Sequence, residues 1–308
     1  MIWLEGVSYL RAGSPALGDV TLGVSCGELL VVQGPTGSGK SSLLAVAAGV
    51  LAPDSGAVWI ADHNIAGLQA SSLPYVRRNV GYLPPEPLLI PDETVLENIM
   101  LALAVRGQPI DSAEADARET LAMVADSAWE NRPARSLSTG QQRLVALARA
   151  LVGPPPLVVV DEPASGMGGD DRDGIVRALV WARERGCAVL CATSDPSFAQ
   201  MLVDAGGRQV HLEGGRIAGA PAIGLVPAPV DFPEMDMGTL TGFASPFGPP
   251  PATPTPLASL GLAIPPAMVR GEQSSPAPHA TSERGPEDAD SAAAIRSFDR
   301  RSSGEESS

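Results

Sequence analysis

Gly34-Pro35-Thr36-Gly37-Ser38-Gly39-Lys40-Ser41 is the stretch on which the fold turns. It has the form G-x-x-x-x-G-K-S, follows the apolar run at residues 29–32, and opens a helix-like segment at residues 41–48. A loop of this form curls backbone N–H groups round a phosphate, sends its lysine to the β- and γ-phosphates, and offers its hydroxyl to Mg²⁺. Gly34, Pro35, Thr36, Gly37, Ser38, Gly39, Lys40, Ser41 and Ser42 are therefore the candidate nucleotide-binding residues. Strand, loop and helix arrive in the order the motif needs, which sets it apart from a glycine turn that matches by accident.

Upstream, residues 2–9 and 19–24 read as strands joined by turn residues 12–15, and Gly27-Glu28 turns the chain into the strand at residues 29–33. Downstream, residues 57–60 and 79–83 read as strands, and residues 94–105 and 112–125 as two helices. Asp92 or Thr94 can cap the first helix, and Leu96, Ile99, Met100 and Leu103 keep helical spacing, as the packed face of a small helical lobe would.

Leu137-Ser138-Thr139-Gly140-Gln141 precedes a helix at residues 142–152, with Ser138 near the N-terminus, where N–H groups favour an anion. Residues 157–160 are Leu-Val-Val-Val, an apolar run that reads as a central parallel strand buried on both faces. It ends in Asp161-Glu162, a carboxylate pair at the C-terminal end of a strand, where open α/β sheets place their ligand sites. A helix at residues 171–185, a strand at 187–192 and a hairpin at 209–218 complete the pattern.

Cradle, Leu-Ser-Thr-Gly-Gln segment and Asp-Glu strand stand in the order and spacing of the ABC-type ATPase domain, and residues 2–219 resemble that family. Residues 89–98 and 146–151 also look like its segments, nearer to ATPases that pair with separate permeases of the lipoprotein-release and macrolide-export kind. The resemblance implies an α/β P-loop NTPase fold of the ABC type. Its parts are a mostly parallel sheet core, an N-terminal antiparallel β subdomain and a helical lobe at about residues 86–142. It also implies ATP and Mg²⁺ as cofactors, and a head-to-tail dimer in which ATP lies between the cradle of one subunit and the signature segment of the other. Carried over, Lys40 binds the β- and γ-phosphates, and Ser41 and Asp161 hold Mg²⁺. Glu162 polarises the attacking water, while the signature segment Ser138, Thr139, Gly140 and Gln141 faces the partner's ATP, with Ser138 and Gly140 closing on its γ-phosphate.

Four positions depart from the family's pattern. Pro85 stands where a glutamine contacts Mg²⁺ and water, Ser194 where a histidine contacts the γ-phosphate, and Gly168 where an aspartate communicates across the dimer. At the aromatic position that stacks on adenine the sequence has Arg11, with Tyr9 two residues earlier, and arginine can also stack on a base. Binding of MgATP is therefore expected to be better preserved than turnover, since each lost transition-state donor is worth on the order of 10²-fold. The expected function is the ATP-binding subunit of an ABC transporter, a homodimer or a heterodimer with a second ABC ATPase, docked on an integral-membrane permease at the inner face of the cell membrane. The alternative is an ABC-like regulatory partner with little turnover of its own, completing another chain's site.

Composition fits a cytoplasmic protein of this kind. The 308 residues are 44% apolar, ample for one large core, and the formal net charge of −14 speaks against nucleic acid as a partner. The N-terminus lacks a basic and apolar leader pattern, and no apolar run approaches the roughly 20 residues of a membrane span. Cys187 and Cys191 lie four residues apart on one strand, about 13 Å and too far for a disulfide, and the three histidines make no metal-ligand spacing. From about residue 220 the chain turns rich in Pro, Ser and acidic residues, and disorder is the expectation for residues 220–308.

Overall fold

The computed structural model describes residues 2–60, 63–65, 67–68 and 72–219, so the expectation for the tail lies outside the described residues. Among the described residues ten strands form two sheets. In the first, β1 (Ile2–Arg11), β2 (Ser14–Val24), β4 (Ser55–Ile60) and β5 (His63–Asn64) pair antiparallel in the order β2-β1-β4-β5. In the second, β3 (Leu29–Gln33), β6 (Val80–Leu83), β7 (Leu157–Asp161), β8 (Ala188–Thr193) and β9 (Arg208–Glu213) run parallel, with β10 (Arg216–Ile217) antiparallel at one edge. The order is β10-β9-β3-β8-β7-β6, which makes the mostly parallel core and the antiparallel N-terminal sheet that the sequence implied.

Residues of β3, β7 and β8 alternate between two cores because side chains of a strand point to opposite faces. Leu30, Val32, Leu157, Val159 and Leu190 join Ile2, Leu4 and Val20 of the antiparallel sheet. Val31, Val158, Val160, Val189 and Cys191 face the helical side. Helix α1 (Lys40–Ala47) contributes Leu43, Leu44 and Val46 to the first core, so the helix that opens at the loop is held against both sheets. The second core takes α3 (Val95–Val105), α4 (Ile110–Val124), α5 (Thr139–Leu151) and α6 (Gly169–Glu184).

The stripe of Leu96, Ile99 and Leu103 is buried there, with Met100 packed against it, as its spacing predicts. Thr94, not Asp92, caps α3: its hydroxyl accepts from the Glu97 N–H while the Glu97 carboxylate accepts from the Thr94 N–H, a reciprocal capping box. Two short helices, α2 (Leu73–Arg77) and α7 (Pro196–Asp204), were not expected. Strand β2 begins at Ser14, because Ala12 and Gly13 turn the chain with positive φ and free the residues after them to pair with β1. Cys187 precedes β8; it and Cys191 are buried free thiols, and Cys26 is an exposed thiol in a turn. Among the described residues no helix is long and apolar enough to cross a membrane, and no cluster of His, Cys, Asp and Glu is arranged to hold a metal ion.

Candidate functional site

The loop leaves the sheet where β3 and β8 end side by side, with the Gly34 N–H donating to the Thr193 carbonyl at 3.3 Å. A side chain cannot enter here: a Cβ on Gly34 would lie 2.2 Å from the Leu212 carbonyl oxygen. Gly39 has φ of +102° and its Cβ would meet the Ala16 carbonyl at 2.4 Å. Behind the loop, the Ser38 N–H donates to the Pro35 carbonyl at 3.1 Å and the Ser38 carbonyl accepts from the Gly215 N–H at 2.9 Å, so the β9–β10 turn fixes its back wall. Helix α1 starts at Lys40 with no side-chain cap and no acidic residue in its first turn, which leaves its N–H groups and positive dipole end to the loop.

Lys40 is 5% exposed; its Nζ donates to the Gly34 carbonyl at 2.8 Å and the Pro35 carbonyl at 3.0 Å and lies 3.6 Å from Glu162 Oε1. It is also the only lysine in the chain, the rest of the 21 lysines and arginines being arginine. A compact ammonium with three rotatable donors fits inside a tight loop where a planar guanidinium does not. This compositional signal reinforces the motif without relying on its spacing.

The carboxylate pair falls at the end of β7, every residue of which is buried. Asp161 is fully buried, and neither of its carboxylate oxygens has a hydrogen-bond partner among the described residues. Burial raises its carboxyl above the ordinary range; the Ser41 hydroxyl opposes the rise without reaching hydrogen-bond geometry, Glu162 adds to it, and Lys40 and Arg143 offset part of it. A buried carboxylate without a partner is unfavourable unless it is paired or coordinates a metal. The donor chemistry fits Mg²⁺: hard carboxylate oxygens on Asp161 and the hydroxyl of the exposed Ser41, the ligand types that magnesium takes beside water and phosphate oxygens.

Glu162 holds φ of +48°, rare for a residue with a side chain, and is fixed from three directions. Its N–H donates to the Ala192 carbonyl at 2.9 Å, its Oε2 accepts from the Thr193 hydroxyl at 3.3 Å, and its carbonyl accepts from an Arg143 terminal nitrogen at 2.5 Å. The Thr193 hydroxyl in turn accepts from the Asp195 N–H at 3.1 Å. Asp195 caps α7 and pairs with Arg172 of α6 at 2.7 Å. Burial pushes the Asp195 carboxyl up, but the Phe198 and Ser197 N–H groups and Arg172 outweigh it and hold the carboxyl below its ordinary range.

Beside the loop, Tyr9, Arg11, Ser41, Ser42, Ala45, Leu51 and Tyr82 line a cleft of about 330 Å³. Both candidate base contacts thus face the same space as the end of the loop. Tyr82, on β6, has its phenol pushed up to about 12 by burial and by the nearby Asp161.

The signature segment lies elsewhere. Ser138 caps α5: its hydroxyl accepts from the Gln141 N–H at 3.3 Å, and its own N–H donates to Gln141 Oε1 at 3.0 Å. Ser138 and Thr139 are exposed, and none of Ser138, Thr139, Gly140 and Gln141 lines the cleft beside the loop. Of the departures, Ser194 follows Thr193 at the end of β8, and Gly168 precedes α6 in the open, with nothing within 4 Å of where its Cβ would stand. Pro85 is exposed, and its carbonyl accepts from Arg143 at 2.8 Å. Sequence reasoning passed over Arg143, Arg172 and Thr193. Two of them act largely on backbone carbonyls, which leave no residue pattern to read.

A strand, a glycine loop carrying an ammonium at a helix start, and a buried carboxylate on the strand two places along the sheet define a P-loop nucleotide-binding domain. The family model described as ABC transporter matches residues 17–165. The lipoprotein-releasing system ATP-binding protein LolD of Bordetella pertussis is 36% identical over 203 residues, 65% of this chain and 86% of LolD. The cell division ATP-binding protein FtsE of Escherichia coli K12 is 34% identical over 224 residues, 70% of this chain and 98% of FtsE. The dimeric structure of MJ0796, a bacterial ABC transporter cassette, superposes with a TM-score of 0.66 at 29% identity, covering 73% of this chain and all of that one. The same cassette bound to ADP and Pi in a post-hydrolysis state gives the same score. The chain belongs to the ABC transporter family of ATP-binding cassettes.

Proposed function

We propose that this chain is the ATP-binding subunit of an ABC transporter, coupling the binding and hydrolysis of MgATP to transport through a separate integral-membrane permease. In this reading residues 1–219 are the ATP-binding domain, with a helical lobe at about 86–142, and residues 220–308 are a Pro/Ser-rich tail. The names of LolD and FtsE, both ATP-binding proteins, and the dimer and the ADP and Pi of MJ0796 support it. The permease would hold the chain at the inner face of the cell membrane.

The observation that carries the reading is Asp161, a fully buried carboxylate with two unpartnered oxygens beside the Lys40 loop. Residues 34–42 bind the phosphates, with Lys40 on the β- and γ-phosphates, and the base enters the cleft lined by Tyr9 and Arg11. Ser41 and Asp161 would hold Mg²⁺, which when bound neutralises phosphate charge. Glu162, its carboxylate oriented by Thr193 and Lys40, accepts a hydrogen bond from the attacking water and lines it up with the γ-phosphate. The Ser138-Thr139-Gly140-Gln141 segment, exposed at Ser138 and Thr139, is presented to the ATP of a second cassette.

A second reading, an ABC-like partner that completes another chain's site and turns over little ATP itself, is favoured by Pro85, Gly168 and Ser194. None of these supplies a charged or amide side chain to the γ-phosphate region. Binding of a fluorescent ATP analogue and steady-state phosphate release separate the two. Transporter-type turnover requires Mg²⁺-dependent release that Glu162→Gln abolishes while binding persists. Binding without release in the chain alone supports the second reading, and absence of binding sinks both.

A further inference from the structure

The loop after β6 has an unusual hydrogen-bond problem. Its sequence, Pro84-Pro85-Glu86-Pro87, contains three residues without an N–H, so it cannot close the turn bonds that an ordinary loop makes with itself. Its carbonyls turn instead to two guanidinium groups of α5. Arg149 donates to the Pro87 carbonyl at 2.7 Å and the Leu88 carbonyl at 2.9 Å. Arg143 donates to the Pro85 carbonyl at 2.8 Å. The two arginines differ in their other attachment: among the described residues Arg149 donates to this loop alone, whereas the second arm of Arg143 donates at 2.5 Å to the carbonyl of Glu162.

We propose that Arg143 is a positioning residue, a strut that ties the Glu162 main chain to the 85–88 loop so that the nucleotide site and the exposed loop move as one. The fork of a guanidinium is planar and rigid, so a shift of one carbonyl must carry the other or break a charge-assisted hydrogen bond. At the near end, the Glu162 main chain is in a left-handed conformation that persists only while its surroundings enforce it, and the Arg143 bond is one of the three enforcing contacts. At the far end, Leu88 is also left-handed, with φ of +47°, and is 60% exposed, so the same loop offers an apolar tip to solvent. Pro85 has no polar side chain, and its carbonyl is the group through which the link is made.

The link itself is independent of any ligand. Its use in transmitting nucleotide occupancy rests on the reading of residues 34–42 as an ATP site, and the experiment separates the two. Hydrogen exchange of the full chain is compared for wild type, Arg143→Ala, Arg143→Lys and Arg149→Ala. Without nucleotide, both alanine variants expose the amides of residues 86–90 about tenfold faster, the factor that loss of one charged hydrogen bond gives to an opening equilibrium. Residues 162–165 loosen only in Arg143→Ala.

With ATP and Mg²⁺, wild type and Arg149→Ala show changed exchange at both the 34–42 loop and residues 86–90. Arg143→Ala keeps the first change and loses the second. Arg143→Lys, which replaces the two separate nitrogens that reach Glu162 and Pro85 with one, also loses it, and where turnover is measurable its kcat falls with KM unchanged. The proposal is overturned if residues 162–165 respond alike to Arg143→Ala and Arg149→Ala, or if residues 86–90 still answer nucleotide in Arg143→Ala. Should wild type show no change at residues 34–42, the ATP reading fails, and the nucleotide-free comparison still decides the strut. Arg143→Gln replaces Arg143→Ala in every arm if the alanine variant does not fold.

Discussion

At the scale of single residues, the site depends on one cation and one carboxylate in opposite circumstances. Lys40 is held by two carbonyls and is the only lysine, which gives the chain one internal amine for chemistry to find. Amine-directed labelling followed by peptide mapping should modify the N-terminus and Lys40 alone, and saturating MgATP should suppress the Lys40 adduct at least tenfold. Labelling at Lys40 that ignores MgATP would contradict the assignment. Lys40→Ala should weaken nucleotide binding by about 10²-fold, the loss of two charge-assisted contacts. Among the described residues Asp161 accepts no hydrogen bond, and burial outweighs the nearby Lys40 and Arg143, so removing its charge relieves the folded protein. Asp161→Asn should leave thermal stability without ligand unchanged or raise it by roughly 1 kcal/mol. The same variant should lose the extra stability that Mg²⁺ with ATP gives wild type, as read by differential scanning fluorimetry. Lys40 and Asp161 were both legible in the sequence because each is bound to a motif with fixed spacing. Thr193 and Arg143 were not, since a hydroxyl that orients a neighbour and a guanidinium that holds carbonyls belong to no pattern along the chain.

At the scale of elements, most of the secondary structure was readable where period and caps agreed. β3, β6 and β7 are short apolar runs bounded by turns, and α3 has both a buried stripe and a capping box. Helix α7 escaped notice because its start, Asp195-Pro196, looks like a turn until the Asp195 carboxylate is seen accepting from the Ser197 and Phe198 N–H groups. Thr94 and Ser138 carry the same reciprocal cap, so each alanine substitution should cost about 1 kcal/mol in chemical denaturation. Only Ser138→Ala should also affect ATP-dependent association, and an equal effect of Thr94→Ala would show that the cap, not the hydroxyl, matters. The loop that α5 grips makes a separate prediction. Leu88 is exposed in a left-handed conformation that asparagine tolerates far better than leucine. Leu88→Asn should therefore stabilise the protein by about 0.5–1 kcal/mol, checked by its denaturation midpoint. A loss of stability would mean that the leucine side chain is packed more usefully than its exposure implies.

At the scale of the whole molecule, the groups divide into two sets that do not meet within one chain. Lys40, Ser41, Asp161 and Glu162 gather at the ends of β3 and β7, while Ser138 to Gln141 open α5 outside the cleft, with Ser138 and Thr139 exposed. Under the proposed function a head-to-tail pair would join them by symmetry, since a two-fold axis that brings the signature of one copy to the loop of the other does the same in reverse. The arrangement can be tested with two variants that are each inactive in their own way. Lys40→Ala spoils the loop and leaves the signature; Ser138→Arg spoils the signature and leaves the loop. Homodimers of either have no complete site. In an equal mixture about half of the dimers are mixed, and each mixed dimer has one complete site of two, so ATP occlusion or phosphate release should return to about a quarter of the wild-type level. Recovery on mixing establishes a composite site formed by two copies of this chain. If wild type occludes ATP and the mixture stays silent, the two sets are not shared between copies. If wild type itself occludes no ATP until a second ABC cassette is added, the signature belongs to a heterodimer, as expected for a chain that carries Pro85, Gly168 and Ser194 at the positions departing from the family's pattern.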